Sequence, residues 1–265
     1  MEVILAKHAG TCFGVNRALV KANKALKDPT PVSCLGPLIH NPRVVQNLAL
    51  RGLAVADTPD EVCTQRIIIR SHGVAPDVRR ALEASEIELI DATCPFVLRA
   101  QEAAARLARE CGCVIIVGEA GHPEVEALCA FAKESGAQVI CAMSPEDLPE
   151  DLPNHVGVVV QTTQRARVLD AILDVLHARR VDVDVANTIC NATTRRQDAA
   201  MDLAGQVDAM VVVGGHNSSN TKRLAEICAT VCPKVFHIES LDDFTDDISR
   251  RNIILSVTPA DDCCS

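Results

Sequence analysis

The fold can be predicted from two neighbouring stretches of sequence, Asp91-Ala92-Thr93-Cys94-Pro95 and Gly118-Glu119-Ala120-Gly121-His122-Pro123-Glu124. Each stretch follows a short β-rich run, at 87–90 and at 114–117, and each precedes a helical pattern. A cysteine and a histidine–glutamate pair therefore come at the ends of neighbouring strands, beside helix N-termini. In a parallel α/β sheet this edge is where ligands bind. We therefore expect a functional site there.

The same spacing occurs three times along the chain. A cysteine is followed 28 residues later by a polar helix start at Cys12 and His40, at Cys94 and His122, and at Cys190 and Ser218. Each cysteine follows a predicted strand, at 3–6, 87–90 and 181–185, and precedes a predicted helix. Such a repeat predicts three copies of one supersecondary unit. The three thiols and the three polar helix starts should then surround a common centre.

The repeat predicts a fold of three small, pseudo-symmetric α/β units with parallel sheets, formed by residues 1–85, 86–180 and 181–265. Strand and helix patterns alternate throughout, which is typical of parallel sheets with right-handed crossovers. The chain has no Trp or Tyr and only 5 Phe, so aliphatic residues must build the core. That composition suits strands buried on both faces. Each third is small for an independent core, so the units should pack against one another.

Charge and cysteine content exclude several classes of function. The formal net charge of −9 argues against nucleic acid as a partner, because phosphate backbones require a basic surface. A small anion remains possible, since helix N-termini bind phosphate without net positive charge. No apolar run approaches the ~20 residues of a membrane span, and the N-terminus predicts a strand rather than a signal peptide. The 13 cysteines therefore indicate reduced thiols in the cytoplasm.

Cys12, Cys94 and Cys190 are too far apart in sequence for a local zinc motif. Three converging thiolates suit an iron–sulfur cluster, and a cubane with three protein ligands leaves one iron open to substrate. Helix N-termini should also lower the pKa of these thiols. A lone cysteine is more often a small buried hydrophobe, and only the shared spacing favours ligands here. We expect structural roles for the other cysteines: Cys34, Cys63, Cys111, Cys113, Cys129, Cys141, Cys228, Cys232, Cys263 and Cys264.

A ring of polar residues completes the predicted site. Imidazoles, hydroxyls and an amide would donate several hydrogen bonds to a diphosphate. These groups belong to His40, His72, His122, Thr162, Ser218, Ser219 and Asn220. The only carboxylate that we expect beside the ring is Glu124, which burial would turn into a general acid by raising its pKa. Each of these residues could instead be an ordinary helix cap. Their coincidence with the cysteine spacing favours function.

The sequence resembles one family, the 4-hydroxy-3-methylbut-2-enyl diphosphate reductases of the LytB type. The matching stretches run in family order over about residues 1–258: Gly10-Thr11-Cys12-Phe13-Gly14-Val15, Ile39-His40-Asn41, Ser71-His72-Gly73-Val74, Asp91-Ala92-Thr93-Cys94-Pro95, Gly121-His122-Pro123-Glu124-Val125, Gln161-Thr162-Thr163, Ile189-Cys190-Asn191-Ala192-Thr193-Thr194-Arg195-Arg196-Gln197 and Asn217-Ser218-Ser219-Asn220. Together these motifs are highly specific.

The resemblance implies a three-lobed α/β fold around a [4Fe–4S] cluster held by Cys12, Cys94 and Cys190. It implies reductive removal of the substrate hydroxyl to give isopentenyl and dimethylallyl diphosphates, the last step of the methylerythritol phosphate pathway. Electrons would come from a ferredoxin or flavodoxin, and no Gly-x-Gly-x-x-Gly motif for NAD(P)H is visible. The implied catalytic residues are Glu124, Thr162 and His122. The implied diphosphate ligands are His40, His72, His122, Ser218, Ser219 and Asn220.

The chain departs from the family after Thr258. Where the family has a Thr-Ala-Gly-Ala-Ser turn, this sequence continues as Pro259-Ala260-Asp261-Asp262-Cys263-Cys264-Ser265. Asp262 takes the serine position, where a carboxylate would repel a diphosphate, and the glycine needed for close backbone approach is absent. Two alternatives therefore stay open. One is an impaired relative that binds the cluster or the diphosphate without turnover, and the other is an α/β enzyme whose cysteines are core residues.

Overall fold

The computed structural model describes residues 3–243 and the backbone of residues 253–257. The helices in this part of the chain are α1 (Phe13–Ala25), α2 (Pro42–Leu50), α3 (Pro76–Glu83), α4 (Pro95–Cys111), α5 (Pro123–Glu134), α6 (Ala166–Ala178), α7 (Asn191–Ala204) and α8 (Ser219–Ala229). The strands are β1 (Val32–Leu35), β2 (Leu53–Ala56), β3 (Arg66–Ile69), β4 (Glu88–Asp91), β5 (Cys113–Val117), β6 (Gln138–Ala142), β7 (His155–Val160), β8 (Asp182–Ala186), β9 (Ala209–Val213), β10 (Val235–Ile238) and β11 (Ile253–Val257).

The strands form three separate parallel sheets, as the repeat predicts. Their orders are β2-β1-β3-β4, β6-β5-β7-β8 and β10-β9-β11. The central strands are buried on both faces, and the side chains of residues 67–69 and 114–117 are fully buried. This burial explains the aliphatic runs in the sequence, since a strand covered on both sides needs no polar face. The predicted fold class is therefore confirmed.

Sheet membership crosses the predicted boundaries at residues 86 and 181. We assigned the strands near 87–90 and 181–185 to the units that follow them, but β4 pairs with β3 and β8 pairs with β7. Each of these strands closes the preceding sheet and leads directly into the cysteine that begins the next helix. The division of the chain into 1–85, 86–180 and 181–265 stays a prediction.

The predicted strand at residues 3–6 is wrong. Only an isolated bridge occurs there, at Leu5, and the chain then turns at residues 7 and 8. The side chains of Val3, Ile4 and Leu5 are 51%, 41% and 63% exposed, so these apolar residues do not belong to a hydrophobic core. A short apolar run is compatible with a strand, but only packing against a sheet makes it one.

Two further predictions concern membrane-spanning helices and the C-terminal end of the chain. Within the described part of the chain, none of the helices combines the length and the apolarity that a membrane-spanning helix needs. Asp262, which we expect to repel a diphosphate, lies outside the described residues.

Candidate functional site

The three cysteines of the repeat each occupy the N-cap position of a helix. Cys12 precedes α1, Cys94 precedes α4 and Cys190 precedes α7, and all three are free thiols that line one cavity. A Cβ atom at Gly14 would lie 2.5 Å from Cys94 Sγ and 4.0 Å from Cys12 Sγ. The missing side chain of Gly14 therefore lets the thiols of two different units approach each other.

The expected lowering of the thiol pKa is wrong for Cys94. Burial raises the pKa of this thiol, while the backbone amides of Phe96 and Val97 at the start of α4 act in the opposite direction. Repulsion by Cys12 and Cys190 raises the pKa further. Desolvation disfavours the thiolate more strongly than the helix N-terminus stabilises it.

Arg196 ties the first and third units together beside the thiols. Its Nε donates to the carbonyl of His8 at 3.2 Å, and its Nη2 donates to the carbonyl of Gly10 at 3.0 Å. The buried guanidinium also interacts electrostatically with Cys12 and Cys190. Sequence reasoning missed this residue. Its position six residues after Cys190 gave no sign that the charge would be buried.

Three histidines form a cluster in the lining of the same cavity. The ring centroids of His40 and His72 lie 4.3 Å apart, and His122 lies 5.2 and 5.6 Å from them. Burial lowers the pKa of all three imidazoles, well below its usual range for His72 and to about 4 for His122. The three rings are therefore neutral at pH 7, and each keeps one donor and one acceptor nitrogen.

Several polar atoms that face this cluster are buried without a hydrogen-bond partner among the described residues. They include His40 Nε2, His72 Nδ1 and Asn220 Oδ1. His122 Nδ1, in contrast, accepts a hydrogen bond from the Glu124 amide at 3.1 Å, which leaves the proton of the neutral ring on Nε2. Buried polar groups are rarely left unpaired in native proteins. The unpaired atoms indicate that a polar ligand completes the cavity.

Glu124 and Thr162 form a buried pair that lines the same cavity. The Thr162 amide donates to Glu124 Oε1 at 2.6 Å, and Thr162 Oγ1 lies 2.9 Å from Glu124 Oε2. Burial raises the pKa of the Glu124 carboxyl, although the two hydrogen bonds from Thr162 oppose it. Because Oε1 accepts from a backbone amide, a proton on this carboxyl would sit on Oε2.

The start of helix α8 also lines the cavity, and the hydroxyls of Ser218 and Ser219 already have partners. Ser218 caps the helix by accepting from the Thr221 amide at 3.3 Å, and Ser219 Oγ donates to Glu119 Oε2 at 2.6 Å. The hydrogen bond from Ser219 lowers the pKa of Glu119, which also interacts with His40 and His122. Our expectation that Glu124 is the only carboxylate beside the ring is therefore wrong.

A second arginine joins α8 to the edge of the second sheet. Arg223 donates to Thr163 Oγ1 at 2.9 Å and to Gln161 Oε1 at 3.0 Å. The same Gln161 oxygen accepts from the Glu119 amide at 3.1 Å. This network fixes the start of α8 relative to the loops that carry His122 and Thr162. Sequence reasoning missed Arg223, because no local pattern marks a buried ion.

The structure brings every predicted site residue to a single cavity of about 170 Å³. The helices α2, α5 and α8 also begin at this cavity, since Asn41, His122 and Ser218 are their N-caps. Unpaired helix amides and dipoles favour an anion at such a point. The roles of the lining residues stay predictions for Cys12, Cys94, Cys190, His40, His72, His122, Glu124, Thr162, Ser218, Ser219 and Asn220.

Comparisons with known proteins agree with this architecture. The family model described as "LytB protein" matches residues 3–261. A 4-hydroxy-3-methylbut-2-enyl diphosphate reductase from Geobacter sp. (strain M21) is 46% identical over 243 residues, covering 91% of this chain and 84% of the relative. The reductase of the same name from Syntrophotalea carbinolica is 39% identical over 248 residues, covering 93% of this chain and 88% of its own length.

Two solved structures are similar over almost the whole chain. One is a structure of (E)-4-hydroxy-3-methyl-but-2-enyl diphosphate reductase, described as the terminal enzyme of the non-mevalonate pathway. It shares 37% identity and a TM-score of 0.71 over 98% of this chain and 94% of its own. The other, a reductase from Plasmodium falciparum, shares 25% identity and a TM-score of 0.88 over 97% and 84%. With the family match over 3–261, these likenesses establish that the chain belongs to the LytB protein family.

Proposed function

We propose that this chain is a cytoplasmic 4-hydroxy-3-methylbut-2-enyl diphosphate reductase, the activity for which its relatives are named. One observation carries the proposal: three thiols, a histidine cluster and a buried acid face the same cavity. A reductive dehydroxylation of an allylic diphosphate needs a redox group, an anion site and a proton source. The cavity offers residues suited to each of these tasks.

The residues fit a [4Fe–4S] cluster with three cysteine ligands. Cys12, Cys94 and Cys190 are free, come from three helix starts, and have room to converge because Gly14 lacks a side chain. Arg196 places a buried positive charge beside them, which offsets the negative charge of thiolates. When bound, such a cluster supplies the electrons for removal of the hydroxyl group. A ferredoxin or flavodoxin is the electron donor that we expect.

The diphosphate would bind between the histidines and α8. Neutral imidazoles can donate from the nitrogens that lack partners, and His122 has its donor on Nε2 because Nδ1 accepts from the Glu124 amide. The N-termini of α2, α5 and α8 add further donors. Ser219 would release Glu119 in order to donate to the diphosphate, whereas Asn220 is free to reorient its amide.

Glu124 would hold the proton that the leaving hydroxyl takes up. In the neutral acid this proton would sit on Oε2, 2.9 Å from Thr162 Oγ1, and the hydrogen bond that Oγ1 donates to the ionised carboxylate would reverse its direction. Oε2 can donate to Oγ1, and the Thr162 hydroxyl can then direct its own hydrogen into the cavity. The pair would act as a short relay, with Glu124 as the general acid and Thr162 as the group that orients the substrate hydroxyl.

Single-turnover assays test this proposal. The anaerobically reconstituted, dithionite-reduced protein should form both product diphosphates, and Glu124→Gln should react about 10²–10⁴-fold more slowly with its cluster retained. Glu126→Gln is the matched control, since Glu126 lies on the exposed face of the same helix. Equal rates for Glu124→Gln and the unmodified protein would exclude Glu124 as the acid.

The impaired relative is the second candidate, because Asp262 takes the position of the family serine. A bound cluster without product from the unmodified protein would support it, and Asp262→Ser should then restore turnover. Absence of a visible-region chromophore after anaerobic reconstitution would instead favour the enzyme without a cluster.

A further inference from the structure

A second group of metal-ligating side chains lies far from the cavity. Cys111 is the last residue of α4, His155 begins β7, and Asp184 lies in the neighbouring strand β8. The cavity residues follow the other end of β7. With a rise of about 3.3 Å per residue, the length of this strand separates the group from the cavity by more than about 15 Å.

The three side chains form a triangle in which each one contacts the other two. His155 Nε2 lies 3.0 Å from Asp184 Oδ2 and 3.6 Å from Cys111 Sγ, and the sulfur lies 3.6 Å from the same Asp184 oxygen. In a nucleophilic triad, the carboxylate and the nucleophile would contact opposite nitrogens of the imidazole. Here both face Nε2, so the geometry does not suit a catalytic triad.

The triangle has the dimensions of three ligands around a tetrahedral zinc ion. Bonds of about 2.0–2.2 Å to nitrogen and oxygen and about 2.3 Å to sulfur place N and O about 3.4 Å apart. They place the sulfur about 3.6 Å from each of the other two. The separations of 3.0, 3.6 and 3.6 Å in the protein require an adjustment of only a few tenths of an ångström.

We propose that Cys111, His155 and Asp184 bind a Zn²⁺ ion, with a water molecule as the fourth ligand. Thiolate, imidazole and carboxylate together suit this borderline-soft ion better than Mg²⁺ or Ca²⁺, which prefer oxygen ligands. The His155 and Asp184 side chains are 41% and 55% exposed, so an ion can reach the site from solvent.

The position of the site in the fold also favours a cation. Cys111 ends α4, where the helix dipole places partial negative charge. The neighbouring Arg106 is already paired with Glu110 at 2.5 Å. A zinc ion would tie the end of α4 to β7 and β8 and would stabilise the second sheet without taking part in the reaction. Without metal, the Cys111 thiol simply donates to Asp184.

Zinc titration of the cluster-loaded protein tests the proposal, because the cavity thiols are then occupied. We expect one zinc per chain with micromolar or tighter affinity, weakened at least about 10-fold in Cys111→Ser and Asp184→Asn. Cys63→Ser is the matched control, since Cys63 is an exposed cysteine without these partners. Zinc-edge X-ray absorption of the unmodified protein should show one sulfur at about 2.3 Å among nitrogen and oxygen ligands.

Two results would overturn the assignment. One is the absence of zinc from the cluster-loaded protein at micromolar concentrations of the ion. The other is unchanged zinc affinity in Cys111→Ser, or a zinc shell without sulfur, which would place the ion elsewhere. The X-ray absorption measurement needs no variant and therefore remains decisive if a substitution prevents folding.

Discussion

Replacing Gly14 by alanine should prevent cluster binding while leaving the protein folded. The new Cβ would lie 2.5 Å from Cys94 Sγ and 3.0 Å from Cys94 Cβ. Non-bonded atoms of this size need about 3.5–4.0 Å, so the sulfur must retreat by about 1 Å. Metal sites tolerate deviations of only about 0.2 Å in their bond lengths. The required retreat is several times larger, and Cys94 should therefore fail as a ligand in this variant.

The stability of the cluster-free protein should respond differently. Gly14 lies in the first turn of α1, and alanine in a helix is favoured over glycine by about 0.5–1 kcal/mol. Without a cluster, the Cys94 side chain can rotate away, and only its Cβ must yield. We therefore expect the free energy of unfolding to change by less than about 1 kcal/mol. Cluster loading, measured as iron per chain and visible absorbance after anaerobic reconstitution, should fall at least about tenfold.

Gly205→Ala is the matched control for this substitution. Gly205 ends α7, and the atoms nearest to its added Cβ lie 3.9 Å away, which is ordinary van der Waals contact. This variant should load its cluster as the unmodified protein does. Full loading of Gly14→Ala, or an equal loss in both variants, would refute the inference that the close approach at Gly14 positions Cys94 as a ligand.

Three further predictions concern the charged and titratable groups around the cavity. Arg196→Met should lower the free energy of unfolding of the cluster-free protein by about 2–4 kcal/mol in urea titrations, because the carbonyls of His8 and Gly10 lose charged donors. Burial lowers the pKa of His122 from 6.5 to about 4, so the unfolded chain binds more protons between these values. Stability should therefore fall as the pH drops through this window, by up to about 1.4 kcal/mol per unit from this residue, and His122→Asn should lack that share of the slope. Arg223→Met removes two hydrogen bonds to the second unit, and it should accelerate amide hydrogen exchange in α8 more than in β5.

The sequence predicts most helices and strands correctly because their signals are local. The dipeptides Asn41-Pro42, Cys94-Pro95 and His122-Pro123 each place a cap before a proline at the first helical position, and helices begin there. The partner of a strand is not local information. Nothing within residues 88–91 or 182–186 indicates that these strands pair with the sheet before them, since that choice depends on packing across the units.

The sequence could predict only those residues of the site that belong to the repeat. Equal spacing places Cys12, Cys94 and Cys190 in equivalent positions, so their convergence follows from the fold. Arg196 and Glu119 were missed because neither belongs to the repeat, and a charged residue in sequence is most often solvent-exposed. The proposed role of Cys111 as a metal ligand could not be predicted for a related reason. Its partners come from two strands distant in sequence, whereas a sequence search recognises ligands that are close together.

The ionisation states in the cavity explain how a chain with a net charge of −9 could accept an anion. Burial raises the pKa of Glu124 and lowers the pKa of the three histidines, so desolvation disfavours the charged form of all four groups. An ionised Glu124 would repel a diphosphate, and charged imidazoles would repel one another at ring separations of 4.3–5.6 Å. Attraction would then come from the N-termini of α2, α5 and α8, from neutral donors, and from the charges of Arg70 and Lys222 that act on His40. The desolvation that weakens the repulsion between Glu124 and an anion also favours a proton on this carboxyl, so binding and proton delivery would depend on one physical property of the cavity.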